Sequence, residues 1–170
     1  MIKSLCLLVW IITFFATNIA NAGQDIEKVR EIANEYKEWY QNRLIEIPTV
    51  EELQDYFEVS QAIFPNSPNL PTIGDAKKQW THPKFTKGKT IKYPSELRVY
   101  LPAEVDVAIL IDESGAPIDT FIINSSNEKF NDFVISAVRS WQFKPALIDN
   151  LPCKSVFLVP VQLGLPSSTK

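Results

Sequence analysis

The stretch that most constrains the fold runs from Glu104 to Leu165. Val105, Val107, Ile109 and Ile111 alternate with Asp106, Ala108, Leu110 and Asp112, the period of two that marks a β-strand. Glu113-Ser114-Gly115-Ala116 follows as a turn, with glycine supplying the positive φ that a tight hairpin requires. Pro117–Asn124 is the return strand. Ser125 or Ser126 is placed to cap a helix whose face is Phe130, Phe133, Val134, Ala137, Val138 and Trp141, at three- and four-residue steps. Lys144-Pro145 stops any helix and turns the chain back to extended structure. Asp149-Asn150 fits a hairpin turn, and Val156–Leu163 reads as a closing strand. On that strand Val156, Leu158, Pro160 and Gln162 share one face, and Phe157, Val159, Val161 and Leu163 share the other. The expected core is therefore a β-β-α-β unit of the α+β class, an antiparallel sheet with one covering helix.

The chain before this unit divides by charge and periodicity. Met1-Ile2-Lys3, the apolar run Leu5–Ile19 and the small-x-small site Ala20-Asn21-Ala22 lay out a secretory signal peptide over residues 1–22. Its removal takes Cys6 and leaves Cys153 as a lone thiol, which excludes an internal disulfide. Residues 23–64 read as a helical segment with ten acidic against four basic residues, a net −6. Ile26, Val29, Ala33, Tyr36 and Tyr40 stripe the helix expected over Gln24–Arg43. Thr49-Val50-Glu51-Glu52 is a capping box that starts a second helix, with Val50, Leu53, Phe57 and Ile63 expected inward. Residues 65–92 carry four of the chain's prolines and no periodicity, and read as a basic, extended linker. From Asp75 to Arg98 there are seven basic and two acidic residues, a net +5. A solvated basic loop is one reading of that excess; an acidic partner or an anionic surface is the other. Residues 166–170 form a short tail.

Catalysis finds no support. The chain has one histidine, His82, no serine–histidine–acid spacing and no glycine-rich phosphate loop. Asp112 and Glu113 are adjacent, and neighbours on a strand point to opposite faces. No cofactor, metal site or small-molecule substrate is expected, and a net charge of −3 gives no general nucleic-acid signal.

An ordered set of residues resembles the TonB C-terminal domain family over about Tyr93–Leu163: Tyr93-Pro94 before the first strand, the Asp112–Gly115 turn, the serine pair at Ser125-Ser126, Trp141-Gln142-Phe143-Lys144-Pro145-Ala146 after the helix, and Asn150-Leu151-Pro152. The resemblance implies a β-β-α-β domain in the periplasm. It also implies that an extended peptide of an envelope protein, such as an outer-membrane receptor, adds as a strand to the last strand of the sheet. Carried onto this sequence, the partner-binding residues are Tyr93, Pro94, Lys154, Val156, Phe157, Val159, Val161 and Gln162. Two alternatives stand beside this one: an inner-membrane-anchored energy transducer, if residues 1–22 are retained, and a structural envelope protein that homodimerises through the same edge. The sequence departs from the family's transducers in lacking a long proline-rich spacer. It also places Pro160 inside the docking strand, where proline is tolerated only with its nitrogen facing an open edge.

Overall fold

The computed structural model describes residues 26–27, 29–34 and 48–164. The expected signal peptide, most of the first helix and the tail lie outside the described residues. The chain divides into two compact units at Gln79/Trp80.

In the first unit, residues 26, 27 and 29–34 are helical, with Val29, Ile32 and Ala33 buried and Ile26 exposed. Helix α1 spans Val50–Ile63. Its start is the capping box read from the sequence: the Glu52 N–H donates to the Thr49 hydroxyl (3.2 Å), and the Thr49 N–H donates to the Glu52 carboxylate (2.7 Å). The buried face is Leu53, Tyr56, Phe57, Val59, Ala62 and Ile63. Val50 is exposed, contrary to the stripe reading, because it occupies the first helical position, beside the cap. Past the helix the chain is not a free connector. The Gln61 side-chain amide donates to the Pro71 carbonyl (2.9 Å), and Ile73–Lys77 forms a 3-10 turn.

The second unit begins at Trp80 rather than at Tyr93, because the proline-spaced segment before Tyr93 supplies strands. They are β1 (Trp80–Thr81) and β2 (Lys84–Lys87). Extended backbone with unpaired N–H and C=O groups is a ready pairing partner whatever its hydropathy period. Then follow β3 (Ala103–Ile111), β4 (Pro117–Ser125), helix α2 (Asn131–Val138), β5 (Gln142–Lys144), β6 (Ala146–Ile148), β7 (Leu151–Cys153) and β8 (Ser155–Leu163). The main sheet has the antiparallel order β4-β3-β8; β2 pairs with β5, and β1-β6-β7 forms a third small sheet. The β-β-α-β unit is thus the expected α+β core, with short strands added around it.

Val105, Val107, Ile109 and Ile111 of β3 meet Phe130, Val134 and Val138 of the helical layer, together with Phe143 and Val161. Asp106, Ala108 and Leu110, on the opposite face, are equally buried. Asn127, not Ser125 or Ser126, caps the helical turn Glu128–Phe130 that leads into α2. Ser126 instead extends the β3–β4 ladder: its N–H donates to the Glu104 carbonyl and its hydroxyl accepts from the Glu104 N–H, both at 2.9 Å.

The W-Q-F-K-P-A run has a plain structural reason. Trp141 and Phe143 turn inward while Gln142 and Lys144 face solvent. The Phe143 N–H donates to the Gly115 carbonyl (3.0 Å), tying β5 to the β3–β4 turn. Gly115 has φ 86°, and a Cβ there would collide with the Phe143 carbonyl, so both conformation and space demand glycine. Asp112 completes the turn by accepting from the Ser114 hydroxyl and the Ser114 and Ala116 N–H groups. Partial burial works against its charge, but these bonds together outweigh burial and lower its pKa below the usual 3.8. Asp149 and Asn150, both at positive φ, make the two-residue β6–β7 turn.

Candidate partner-binding edge

Strand β8 lies at one edge of the main sheet, paired only with β3 within it. The register is unbroken from Ala103↔Leu163 to Ile111↔Ser155, and the direction of each backbone group follows from one residue. Glu104 bonds Ser126 through both its N–H and its C=O, so both point toward β4. Alternation then turns Asp106 and Ala108 toward β4 as well, and Val105, Val107 and Ile109 toward β8. Their partners Val161, Val159 and Phe157 therefore face β3. Leu158, Pro160 and Gln162, opposite Ala108, Asp106 and Glu104, face away from β3; Gln162 is exposed and Pro160 half-buried, whereas Leu158 is buried.

The expected site residues separate accordingly. Phe157, Val159 and Val161 commit their main-chain groups to β3 and are not available to a visiting strand. Their side chains join the core; Phe157 stacks against Phe143 at 5.1 Å between ring centroids. Val156 faces outward by the same alternation but is already engaged in another interaction. Gln162 faces outward, and its side-chain amide donates to the Glu104 carboxylate at 3.2 Å. Lys154 lies between β7 and β8, half-buried and outside both strands. Tyr93 packs edge-on to Phe130 at 5.4 Å, among the side chains of the helical layer, and Pro94 is exposed at the start of the 3-10 turn Ser95–Tyr100. Leu158 was absent from the sequence-derived set. The signal that identifies it is Pro160: a proline in a strand has no N–H to donate, so its nitrogen must face away from the paired neighbour. Residues two away share its direction.

The N–H groups directed away from β3 are thus those of Leu158 and Gln162 with a gap at Pro160, and of the two residues only Gln162 is exposed. Among the described residues no catalytic constellation accompanies this edge. His82 stands edge-on to Trp80 at 5.8 Å, and burial pushes its imidazole below 6.5. Among the described residues no group of three or more His, Cys, Asp or Glu is placed to hold a metal ion.

Residues 89–162 match the family profile described as Gram-negative bacterial TonB protein C-terminal. Those residues belong to the TonB C-terminal domain family. No curated protein matches the chain. The TonB C-terminal domain is a non-enzymatic, transport-related module, periplasmic in Gram-negative bacteria, that interacts with envelope proteins. Among the described residues no helix is long and apolar enough to cross a membrane. β1 and β2 precede the matched segment, so the compact unit exceeds the family domain at its N-terminal end.

Proposed function

We propose that this chain is a periplasmic TonB-like binding module that captures an extended peptide of an envelope partner along β8, in the service of transport. The observation that carries this reading is the outward direction of exposed Gln162 on an edge strand nine residues long. An added strand would take main-chain hydrogen bonds at Gln162, skip Pro160, and reach Leu158 only by displacing what buries it. Each such bond contributes on the order of 1 kcal/mol net, so the ladder alone gives weak capture, and side-chain contacts on either flank must supply selectivity.

The test is a substitution pair. Gln162→Pro removes the exposed outward donor and leaves every β3–β8 bond in place; Phe157→Pro breaks a bond to β3 and serves as the unfolding control. Amide NMR during titration with peptides from envelope proteins should shift Gln162 first, and Gln162→Pro should weaken binding at least about fivefold. Unchanged affinity in a folded Gln162→Pro protein would remove β8 as the docking strand. Sedimentation of the free protein covers the remaining occupant: concentration-dependent dimers that Gln162→Pro dissolves would make the partner a second copy.

A further inference from the structure

Strands β2 and β5 carry a feature that peptide capture at β8 does not use. Their register is Lys84↔Lys144, Phe85↔Phe143 and Lys87↔Gln142, with a bulge between Phe85 and Lys87. Cross-strand partners share a face, so Lys84 and Lys144 project side by side, an arrangement that repels. In a regular strand Lys87 would point with Phe85. The extra residue, Thr86, whose hydroxyl donates to the Gln142 carbonyl (2.8 Å), re-aims Lys87 onto the face that holds Lys84 and Lys144. The opposite face keeps the aromatics together: Phe85 lies 5.1 Å from Trp141 and 5.7 Å from Phe143. The ribbon is cationic outside and aromatic inside, and its bulge is what completes the cationic side.

The chain continues into more of the same charge. Lys89 and Lys92 line a groove of about 630 Å³ against Phe133 and Ser136 of α2. Lys84, Lys87, Lys89, Lys92 and Lys144 are all exposed. No Asp or Glu occurs between Asp75 and Glu96, and none of these five ammonium groups has an ion-pair partner among the described residues. Edge protection accounts for lysines on β2, since charge on a short edge discourages pairing with another chain. It does not account for Lys144. That residue sits on β5, which is flanked on one side by β2 and on the other by the Gly115 carbonyl.

We propose that the β2–β5 face docks on an anionic phospholipid surface. An acidic peptide is the less suited occupant. The Phe143 N–H points to Gly115, so Lys84 and Lys144 hold the β2–β5 bonds and only Phe85 within the strand turns its main-chain groups outward. One residue does not make a ladder. A flat set of lysines above a half-exposed aromatic suits headgroup phosphates, to which each basic side chain adds attraction that salt screens. This surface is separate from the β8 edge, and neither reading depends on the other.

The test compares the protein as purified from its producing cell with a Lys84→Glu/Lys87→Glu/Lys144→Glu variant. Each is cosedimented with phosphatidylglycerol vesicles and with phosphatidylcholine vesicles. On phosphatidylglycerol at low salt the variant should partition about a hundredfold more weakly than its parent, a difference that vanishes at about 0.5 M salt and on phosphatidylcholine. Because all three positions are exposed, the variant's melting curve should match that of the parent. A folded variant that binds phosphatidylglycerol as well as its parent overturns the proposal. So does release of the parent from those vesicles by soluble polyglutamate at equal charge, which would assign the face to an acidic protein. A Lys89→Gln/Lys92→Gln variant with an intermediate loss would extend the docking face into the groove; no loss would confine it to the ribbon.

Discussion

Strands β8 and β2 are both sheet edges of one compact unit, and they differ in every respect that selects a partner. β8 is nine residues long and uncharged, and it aims alternate main-chain groups outward. β2 is four residues long, begins and ends in lysine, and turns one residue's main chain outward. The first aims a row of main-chain groups along a strand, exposed at its Gln162 end, which suits an extended chain. The second offers charge without a row, which any anionic surface can meet. Edge length and charge, more than the presence of an edge, decide what a sheet recognises.

The two edges share one support, and removing it is the most severe way to break the comparison. Phe143 is buried and touches Phe85 of β2 and Phe157 of β8. Phe143→Ala should cost about 3–5 kcal/mol in chemical denaturation and perturb the amides of both edges together. Perturbation of one edge alone would mean that the aromatics do not couple them. A smaller change sharpens the contrast. Pro160→Val restores an outward N–H without touching β3, so peptide capture at β8 should tighten about fivefold while lysine-dependent vesicle binding stays constant. Peptide affinity unmoved by that extra donor would count against strand addition. The smallest effect belongs to the other unit and acts as a control for both edges. Burial, followed by the charges of Glu58, Glu52 and Glu51, raises Asp55 in α1 to about 6. A raised carboxyl makes a contribution to stability that is complete below about 4 and is lost as pH rises through 6. Asp55→Asn should therefore raise the melting temperature at pH 7 by roughly 2–4 °C and flatten its dependence on pH from 4 to 7, with solvent screening keeping the effect small. Peptide and vesicle binding should not respond.

The β-β-α-β core was legible because its signals are local: alternation in β3, a glycine turn, a helix-period face and a proline stop. The capping box at Thr49 and Glu52 was legible for the same reason. What escaped was set by pairing. Trp80–Lys87 has neither a strand period nor a strand composition, yet β1 and β2 form because β6 and β5 present partners far along the chain. The helix cap went to Asn127 because Ser126 was already engaged by Glu104, a choice that local propensity cannot see. At the candidate edge, the side-chain faces of β8 read correctly from period two. Main-chain direction is a separate alternation, and Phe157, Val159 and Val161 were assigned to docking without it. Pro160 held that information from the start, since the one nitrogen that cannot donate fixes the phase of the strand around it.

The bond from the Phe143 N–H to the Gly115 carbonyl has a consequence for motion. It joins a surface turn to a short strand that β2 flanks on its other side. Peeling β5 away from the turn strips the Gly115 carbonyl of this partner and moves Phe143, which carries ring contacts to both edges. Loosening of the turn is thereby coupled to loosening of the cationic ribbon through one main-chain bond. The tip of a hairpin, ordinarily the first part of a sheet to fray, is here anchored to the ribbon by a main-chain bond.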